Sequence, residues 1–301
     1  MGVHIVDELL KQGAKVRVPV HKRPPIIGDE RIETLHADLT NQEDCLAVVK
    51  GIDYVFHAAG SVGAAGVTAN SSMAGIATNL ILTAQILQAA WTANVKRVLI
   101  FGSSTGYPVV DYPVKEEEMW EGPTHPKYFG YGWMRRYIER LSEFVASESG
   151  MGIALVRPTA VYGRFDNFNP ATGHVIPALI RRAVEKENPF VVWGTGKEVR
   201  DFLHITDLAR GCLLMLEKCA DCTPVNLGYG KIVTIKEVVQ EILKAAEHES
   251  AEVVFDSTKP TTIPYRMVDT SKAKEILNFE PTVSLKEGLA DTVEWYVQKE
   301  T

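Results

Sequence analysis

Apolar runs and helical patterns alternate along most of the chain, and this alternation constrains the fold more than any other feature of the sequence. Continuous apolar runs predict strands at 52–57, 98–101 and 153–156, and helical patterns at about 75–93 and 127–149 separate them. Strands that are apolar at every position are buried on both faces, as in a parallel sheet with helices on each side. The sequence therefore predicts an α/β fold with a doubly wound parallel sheet.

The sequence pattern changes after Pro158, where polar loops and shorter predicted helices and strands begin. We expect residues 1–158 to form the sheet domain, with the dinucleotide-binding role that such sheets usually have. Residues 159–301 would form a smaller C-terminal lobe for the substrate, with some segments returning to the sheet.

The first residues depart from the usual start of a dinucleotide-binding sheet, which is a strand, a glycine-rich turn and a helix. Here the chain opens on the helical pattern of Val3, Ile5 and Leu9, and Gly2 stands where the last glycine of the turn would be. Loss of a central strand would leave two unpaired strand edges. We therefore expect a Rossmann-like sheet that lacks its first strand and glycine-rich turn, with Met1 internal to a longer natural chain. The alternative is a fold of another type.

Composition argues against several classes of function. The formal net charge of −6 argues against a nucleic-acid-binding protein. We find no apolar run near the ~20 residues that span a bilayer and no signal-peptide pattern, so we expect no membrane partner. Four cysteines indicate no disulfide framework and favour a reducing, cytoplasmic location. Cys219 and Cys222 have the spacing of a metal pair, but no second pair lies nearby, so we predict no metal site.

Ser103 and Tyr131 carry the candidate chemistry. Ser103 follows a predicted strand, and Tyr131 opens a Tyr-x-x-x-Arg pattern that ends at Arg135. Residues i and i+4 share one helix face, so the cation would lie beside the phenol. A free phenol has a pKa near ~10, and its use as a base near neutral pH requires about 4 kcal/mol of phenolate stabilisation, which a neighbouring cation can help to supply.

This constellation resembles the extended short-chain dehydrogenase/reductase family, the NAD-dependent epimerases and dehydratases. Its members carry a Ser or Thr at the end of this strand and Tyr-x-x-x-Lys on the next helix. The resemblance implies an NAD(P)-dependent oxidoreductase or epimerase, in which the serine holds the substrate oxygen and the tyrosine transfers a proton. Arg135 stands where the family has lysine, so the cation is kept, but proton relay through that side chain would be lost.

The resemblance also implies a cofactor site, with small residues that let the backbone approach a ligand. The implied cofactor-binding residues are Gly2, Asp38, Leu39, Ala58, Ala59, Gly60, Tyr131, Arg135 and Pro158. His21, Lys22 and Arg23 stand where an acidic residue would bind the ribose of NAD, and a basic trio suits a ribose phosphate. We therefore predict NADP as the cofactor, with NAD as the alternative.

The segment from 157 to 210 resembles GDP-L-fucose synthases, which are epimerase/reductases for a GDP-linked 4-keto-6-deoxy sugar, and the likeness extends to the last helix. It implies that His174 is a general acid in epimerisation. The implied substrate-binding residues are Thr105, Asn167, Arg182, Trp193, Arg200 and Arg266, among which the arginines suit a diphosphate. The resemblance further implies a homodimer formed through the helices near 75–93 and 127–149.

Thr105 is a second departure from the resembled family, because it stands where those enzymes have the cysteine base of epimerisation. A threonine hydroxyl is too weak an acid to be that base without special help. Hydride transfer at C4 depends on Ser103 and Tyr131 instead. We therefore expect an NAD(P)-dependent nucleotide-sugar epimerase/reductase that acts on a 4-keto-6-deoxy sugar nucleotide by hydride transfer at C4. Impaired epimerisation would leave reduction of the 4-keto group alone. The alternatives are a 4-epimerase or dehydratase for another sugar nucleotide, and a homologue that binds such a ligand without catalysis.

Overall fold

Parallel strand pairing organises the first half of the chain. The computed structural model describes residues 1–22, 24–61, 72–170, 172–259, 261 and 263–300. Up to residue 158 the helices and strands are α1 (Gly2–Lys11), β1 (Val16–Val20), β2 (Ile32–His36), α2 (Gln42–Val49), β3 (Tyr54–Phe56), α3 (Ser72–Thr92), β4 (Arg97–Phe101), α4 (Phe129–Ser149) and β5 (Gly152–Pro158). The strand–helix alternation matches the predicted α/β class.

These strands lie in two parallel groups. β1 pairs with β2, whereas β3, β4 and β5 lie side by side, and β10 (Asp221–Leu227) from the second half of the chain pairs with β5. The parallel pairing of β3, β4 and β5 in chain order is that of one half of a doubly wound sheet. Within the described ranges, β1 and β3 each have one edge that pairs with no strand.

Both faces of β4 and β5 are buried, which explains the continuous apolar runs at 98–101 and 153–156. Leu99 and Phe101 of β4 pack with Ile5 of α1 and with α6 (Ile205–Lys218) on one face. Val98 and Ile100 pack on the other face, against α3 and α4. Alternate residues of one strand therefore contribute to two different cores.

The second half of the chain adds a lobe with its own core. Its remaining elements are β6 (Ala160–Tyr162), α5 (Val175–Val184), β7 (Phe190–Trp193), β8 (Val199–Arg200), β9 (Phe202–His204), β11 (Val233–Thr234), α7 (Ile235–Ala245), β12 (Val253–Asp256), β13 (Tyr265–Arg266), α8 (Ser271–Leu277) and α9 (Leu285–Glu300). Ile180, Phe190, Val238 and Val293 lie in one buried cluster of this lobe. The predicted division at 158/159 stays a prediction, although β10 and α6 do pack on the sheet.

Helix α3 corrects one expectation from the sequence. Its segment Met73–Thr92 has the length and apolar composition of a membrane-crossing helix, with a mean hydropathy of 1.3. The helix packs against α2 and α4, and a third of this segment is buried in the protein. A core helix of a water-soluble domain can meet the same criteria, and the exposed Met73, Ile81 and Trp91 leave an apolar surface on it.

Candidate active site

The end of β4 places two hydroxyl groups side by side. The Gly102 backbone N–H donates to the Val156 carbonyl of β5, which holds this segment against the sheet (2.7 Å). Ser103 follows and caps a short 3₁₀ turn at Ser104–Gly106, because its Oγ accepts from the Thr105 backbone N–H (3.2 Å). The Ser103 Oγ and Thr105 Oγ1 atoms lie 2.8 Å apart and form a hydrogen bond. The two predicted site residues are therefore coupled before any ligand binds.

Helix α4 brings Tyr131 and Arg135 to the same strand end. The Arg135 guanidinium donates from Nη2 to the Tyr131 phenol oxygen (2.7 Å) and from Nη1 to the Phe101 carbonyl (3.0 Å). A Cβ added at Gly132 would meet the Thr105 carbonyl at 2.8 Å, so the helix directly contacts the turn that carries Ser103. The structure thus brings Tyr131 and Arg135, which helical spacing already pairs, to the strand end that carries Ser103, a long-range contact that sequence spacing could not fix.

A shallow recess of about 50 Å³ lies beside Arg135, at the start of α1. Its lining is mostly small or polar: Met1, His57, Ala58, Ala59, Gly60, Asn79, Thr83, Phe101 and Arg135. A Cβ at Gly60 would approach the Asn79 Oδ1 atom to 2.9 Å, so any other residue here would displace the Asn79 side chain. The Arg135 Nε atom is buried and has no hydrogen-bond partner among the described residues. These features suit a ligand with hydrogen-bond acceptors.

His57 is a recess residue whose role the sequence did not predict. Burial, with a further contribution from the Arg135 charge, lowers the pKa of His57 to about 4. One ring nitrogen lies 3.3 Å from the Thr83 hydroxyl. His57 is therefore neutral at physiological pH and adds no charge to the recess.

The adenine side of the predicted cofactor site lies at the ends of β1 and β2. Asp38 accepts hydrogen bonds from the Thr40 backbone N–H and hydroxyl, which lower the pKa of its carboxyl group. His21 and Lys22 are exposed here, and a His21 ring nitrogen lies 3.9 Å from the Asp38 carboxylate. The Leu39 side chain instead packs against the core. Arg23 lies outside the described residues.

Two arginines of the predicted substrate site meet on neighbouring strands. Arg200 of β8 and Arg266 of β13 are directly paired in the parallel register. Arg266 is buried and donates from Nη1 to the Pro108 carbonyl (3.0 Å), while its Nε and Nη2 atoms have no partner within the described part of the chain. Burial and the adjacent Arg200 lower the pKa of Arg266 to about 10. Two unpaired buried donors next to a second cation form an anion-binding arrangement.

An open apolar cavity of about 470 Å³ adjoins Arg266. It is lined by Pro108, Val109, Pro123, Thr124, Pro126 and Phe129. Pro108 supplies the carbonyl that Arg266 binds, and Thr124 packs on Gly132, next to Tyr131. The cavity lining therefore contacts Arg266 through Pro108 and α4 through Thr124, although no residue of this lining was predicted from the sequence.

The other predicted substrate residues have separate surroundings. His174 precedes α5, and its Nδ1 atom lies 3.5 Å from the Asp166 carboxylate, whose hydrogen bond raises the pKa of His174. Asn167 ties the same loop together through Thr172. Arg182 pairs with Glu187 (2.5 Å). Trp193 is 57% exposed at the end of β7. Ligand contacts by these residues, and by Pro158 at the end of β5, stay predictions.

Comparison with known proteins agrees with the family resemblance that the sequence predicted. A model of the NAD-dependent epimerase/dehydratase family matches residues 1–228. The chain belongs to this family. The predicted resemblance and the α/β fold class are thereby confirmed. The family is NAD-dependent. The small residues Ala58, Ala59 and Gly60 and the buried Arg135 Nε suit such a cofactor, and its position in the recess beside Arg135 stays a prediction.

Several relatives that resemble this chain over most of its length are named GDP-L-fucose synthases. A putative GDP-L-fucose synthase 2 from Arabidopsis thaliana is 37% identical over 87% of this chain and 81% of its own length. The GDP-L-fucose synthase of Escherichia coli is 31% identical over 96% of this chain and 94% of its own. A solved UDP-glucose 4-epimerase from Thermotoga maritima, bound to UDP-glucose, has a TM-score of 0.88 at 25% identity, and covers 100% of this chain and 96% of that chain.

Proposed function

We propose that this chain is an NAD(P)-dependent nucleotide-sugar oxidoreductase that reduces the 4-keto group of a 6-deoxy sugar linked to GDP. The observation that carries the proposal is the contact set at the end of β4, where Arg135 binds the Tyr131 phenol and the Phe101 carbonyl two residues before Ser103. The likeness to GDP-L-fucose synthases supports GDP and the 4-keto-6-deoxy sugar.

Each residue then has a defined task in the reduction. The Ser103 hydroxyl donates to the 4-keto oxygen and holds it, and the Tyr131 phenol gives its proton to the alkoxide that forms at C4. The phenolate left on Tyr131 is stabilised by the Arg135 guanidinium that already donates to it. When bound, the nicotinamide cofactor supplies the hydride. Arg200 and Arg266 would hold the diphosphate, so that the sugar lies over the apolar cavity.

We further propose that the enzyme reduces without epimerising. The position of the epimerase base holds Thr105, whose hydroxyl is bonded to Ser103 at 2.8 Å and is a far weaker acid than a thiol. His174 keeps its partner Asp166, but an acid alone cannot remove the C3 or C5 proton. The preserved His174 would then be a remnant of a two-step reaction.

The test follows deuterium in the product. The enzyme is given NADPH and GDP-4-keto-6-deoxymannose in D2O, and the product is analysed by NMR. We expect reduction at C4 with no deuterium at C3 or C5, because no base exchanges those protons. Thr105→Cys should introduce exchange, and Thr105→Cys combined with His174→Asn is the matched control. Deuterium at C3 or C5 from the unaltered enzyme would contradict reduction alone.

A 4-epimerase acting on another sugar nucleotide is a second candidate, favoured by the fold likeness to the UDP-glucose 4-epimerase. The same Ser103 and Tyr131 would serve it, because 4-epimerisation is oxidation and re-reduction at C4. Incubation with NAD and a UDP-hexose, followed by NMR of the C4 stereochemistry, separates the two. A 4-epimer product, with no reduction of the 4-keto substrate, would favour this candidate.

Three finer features complete the proposal. We infer NADP because His21 and Lys22 lie at the end of β1, and the ratio of kcat/KM for NADPH and NADH tests this.

We infer a homodimer because α3 and α4 expose large apolar residues, and light scattering tests this. These residues are Met73, Ile81, Trp91, Phe129, Trp133, Tyr137 and Phe144. We expect a cytoplasmic location, which fractionation of cells tests.

A further inference from the structure

A buried ion pair lies beside Gly102, at the end of β4 and next to Ser103. Arg157 and Glu139 are each almost fully buried, and the guanidinium binds both carboxylate oxygens, from Nε (3.0 Å) and Nη2 (2.7 Å). The remaining Arg157 donor, Nη1, reaches the Tyr107 phenol oxygen (2.9 Å) and the Glu116 carbonyl (2.7 Å). A two-point pair of this kind fixes the relative orientation of the segments that carry it.

The pair touches the segments that carry the candidate chemistry. Glu139 is four residues after Arg135 and eight after Tyr131, so all three share one face of α4. A Cβ at Gly102 would lie 2.4 Å from the Glu139 carboxylate and 3.1 Å from Arg157 Cγ, so the residue before Ser103 packs on the pair. The pair therefore joins α4 to the end of β4.

A polar network fixes the pair in turn. The Tyr107 phenol, which accepts from Arg157, donates to the Asn226 amide oxygen of β10 (2.6 Å). The Asn226 backbone N–H donates to the Glu116 carboxylate (2.8 Å). Burial, the largest single cause, would lower the pKa of Arg157, but the hydrogen bonds and charge interactions with Glu139 and Tyr107 together outweigh it and raise the pKa. The Arg157 guanidinium is thus held charged and in one arrangement.

We propose that the Glu139–Arg157 pair is a positioning element that sets the Tyr131–Arg135 face of α4 against Ser103. Neither side chain is a catalytic residue here, because each acts through its neighbours. A hydrophobic core also holds α4 on the sheet, and the two-point pair adds directional contacts that constrain the rotation of the helix about its axis and the position of Gly102. The kinetic test of this inference rests on the proposed reduction, whereas its structural test does not.

The test separates positioning from stability. Glu139→Asp keeps the charge and shortens the arm by one methylene group, so we expect a nearly unchanged Tm with kcat about tenfold to a hundredfold lower, and KM within about threefold of the original. Glu139→Met with Arg157→Met removes both charges, which buried pairs often tolerate. Its Tm should exceed that of Glu139→Gln, which leaves Arg157 unpaired, while kcat stays low.

A matched control uses another buried carboxylate. Asp207 is buried, pairs with Arg210 and binds the Thr282 and Val283 backbone N–H groups. Asp207→Asn should lower Tm and leave kcat unchanged. If kcat instead rises and falls with Tm across all these variants, the Glu139–Arg157 pair is merely structural and the inference is overturned.

A second readout does not depend on turnover. In a crystal structure of Glu139→Asp, we expect the Arg135 Nη1–Phe101 carbonyl contact, 3.0 Å in the unaltered protein, to be broken or displaced. An unchanged contact would overturn the inference even if the enzyme were inactive. Absence of turnover in the unaltered protein, by contrast, contradicts the proposed reduction and leaves this structural comparison to decide the inference.

Discussion

The two ends of the candidate site differ in how their polar groups are satisfied. At the catalytic end, the Ser103 hydroxyl, the Tyr131 phenol and two donors of Arg135 are bonded within the protein, and of the Arg135 nitrogens only Nε has no partner among the described residues. At the substrate end, two donors of the buried Arg266 have no partner in the described residues. Groups that perform a reaction benefit from being fixed in advance, whereas groups that recognise an anion are completed by it.

This difference follows from where each end lies in the fold. The catalytic end is built on β4 and α4, which share an apolar core, and α4 contacts the 3₁₀ turn that follows β4. The substrate end is built on the two-residue strands β8 and β13, beside an open cavity of about 470 Å³. Short strands at an open cavity leave space for a ligand, and long elements in a core do not.

The largest expected effect tests whether the catalytic end is catalytic. Tyr131→Phe removes the phenol that would donate the proton, so kcat should fall by about 10³-fold, while the Kd for GDP changes little. Steady-state kinetics and calorimetry measure the two quantities. Tyr137→Phe, six residues along the same helix and 58% exposed, is the matched control and should leave both unchanged. Equal loss of affinity and kcat would mean that Tyr131 belongs to binding.

Much of the fold could be predicted because its signal is local. The apolar run at 98–101 is β4 at Arg97–Phe101, and the helix expected at 127–149 is α4 at Phe129–Ser149. Continuous apolar runs have one physical reason, burial on two faces, so they also indicated the parallel sheet. The Tyr131–Arg135 contact follows in the same way from helical spacing.

The candidate site depends more on contacts between distant parts of the chain, which a single sequence does not encode visibly. Arg200 and Arg266 are brought together by the pairing of β8 with β13 across more than sixty residues. Arg182 shows the opposite effect, since a nearby Glu187 pairs with it in the described structure. The Glu139–Arg157 ion pair could not be predicted from the sequence, because each residue taken alone looks like an ordinary charged residue.

A second prediction tests whether the substrate end is left incomplete for an anion. Arg266→Met removes a buried cation with two unpaired donors, so the ligand-free protein should become more stable by about 1 kcal/mol. The affinity for GDP should nevertheless fall by about 30-fold, since charged hydrogen bonds to the diphosphate are lost. Urea unfolding and calorimetry measure these opposite changes, with UDP and dTDP titrated in parallel.

Its control is an arginine whose donors are already engaged. Arg210 pairs with Asp207 and stacks on Phe279, so Arg210→Met should lower stability and leave GDP affinity unchanged. A loss of stability in Arg266→Met, with unchanged affinity for all three nucleotides, would place Arg266 in the fold and not in the site. The contrast between the two ends of the site would then disappear.

The smallest expected effect concerns His174, a predicted site residue that lies beside a charged partner, Asp166. The Asp166 carboxylate raises the pKa of His174 from its usual value of 6.5, so Asp166→Asn should lower it, as NMR titration of the ring measures. A histidine pKa raised by folding stabilises the protein fully below pH 6.5, and this contribution is lost as pH rises through the folded-state pKa. The original protein should therefore exceed Asp166→Asn in stability more at pH 5 than at pH 8, by a modest amount because His174 is half-exposed. An equal difference at both pH values would show that Asp166 stabilises the loop and does not interact with the histidine charge. His174 would then, like Arg266, have polar groups that the described protein leaves without a partner.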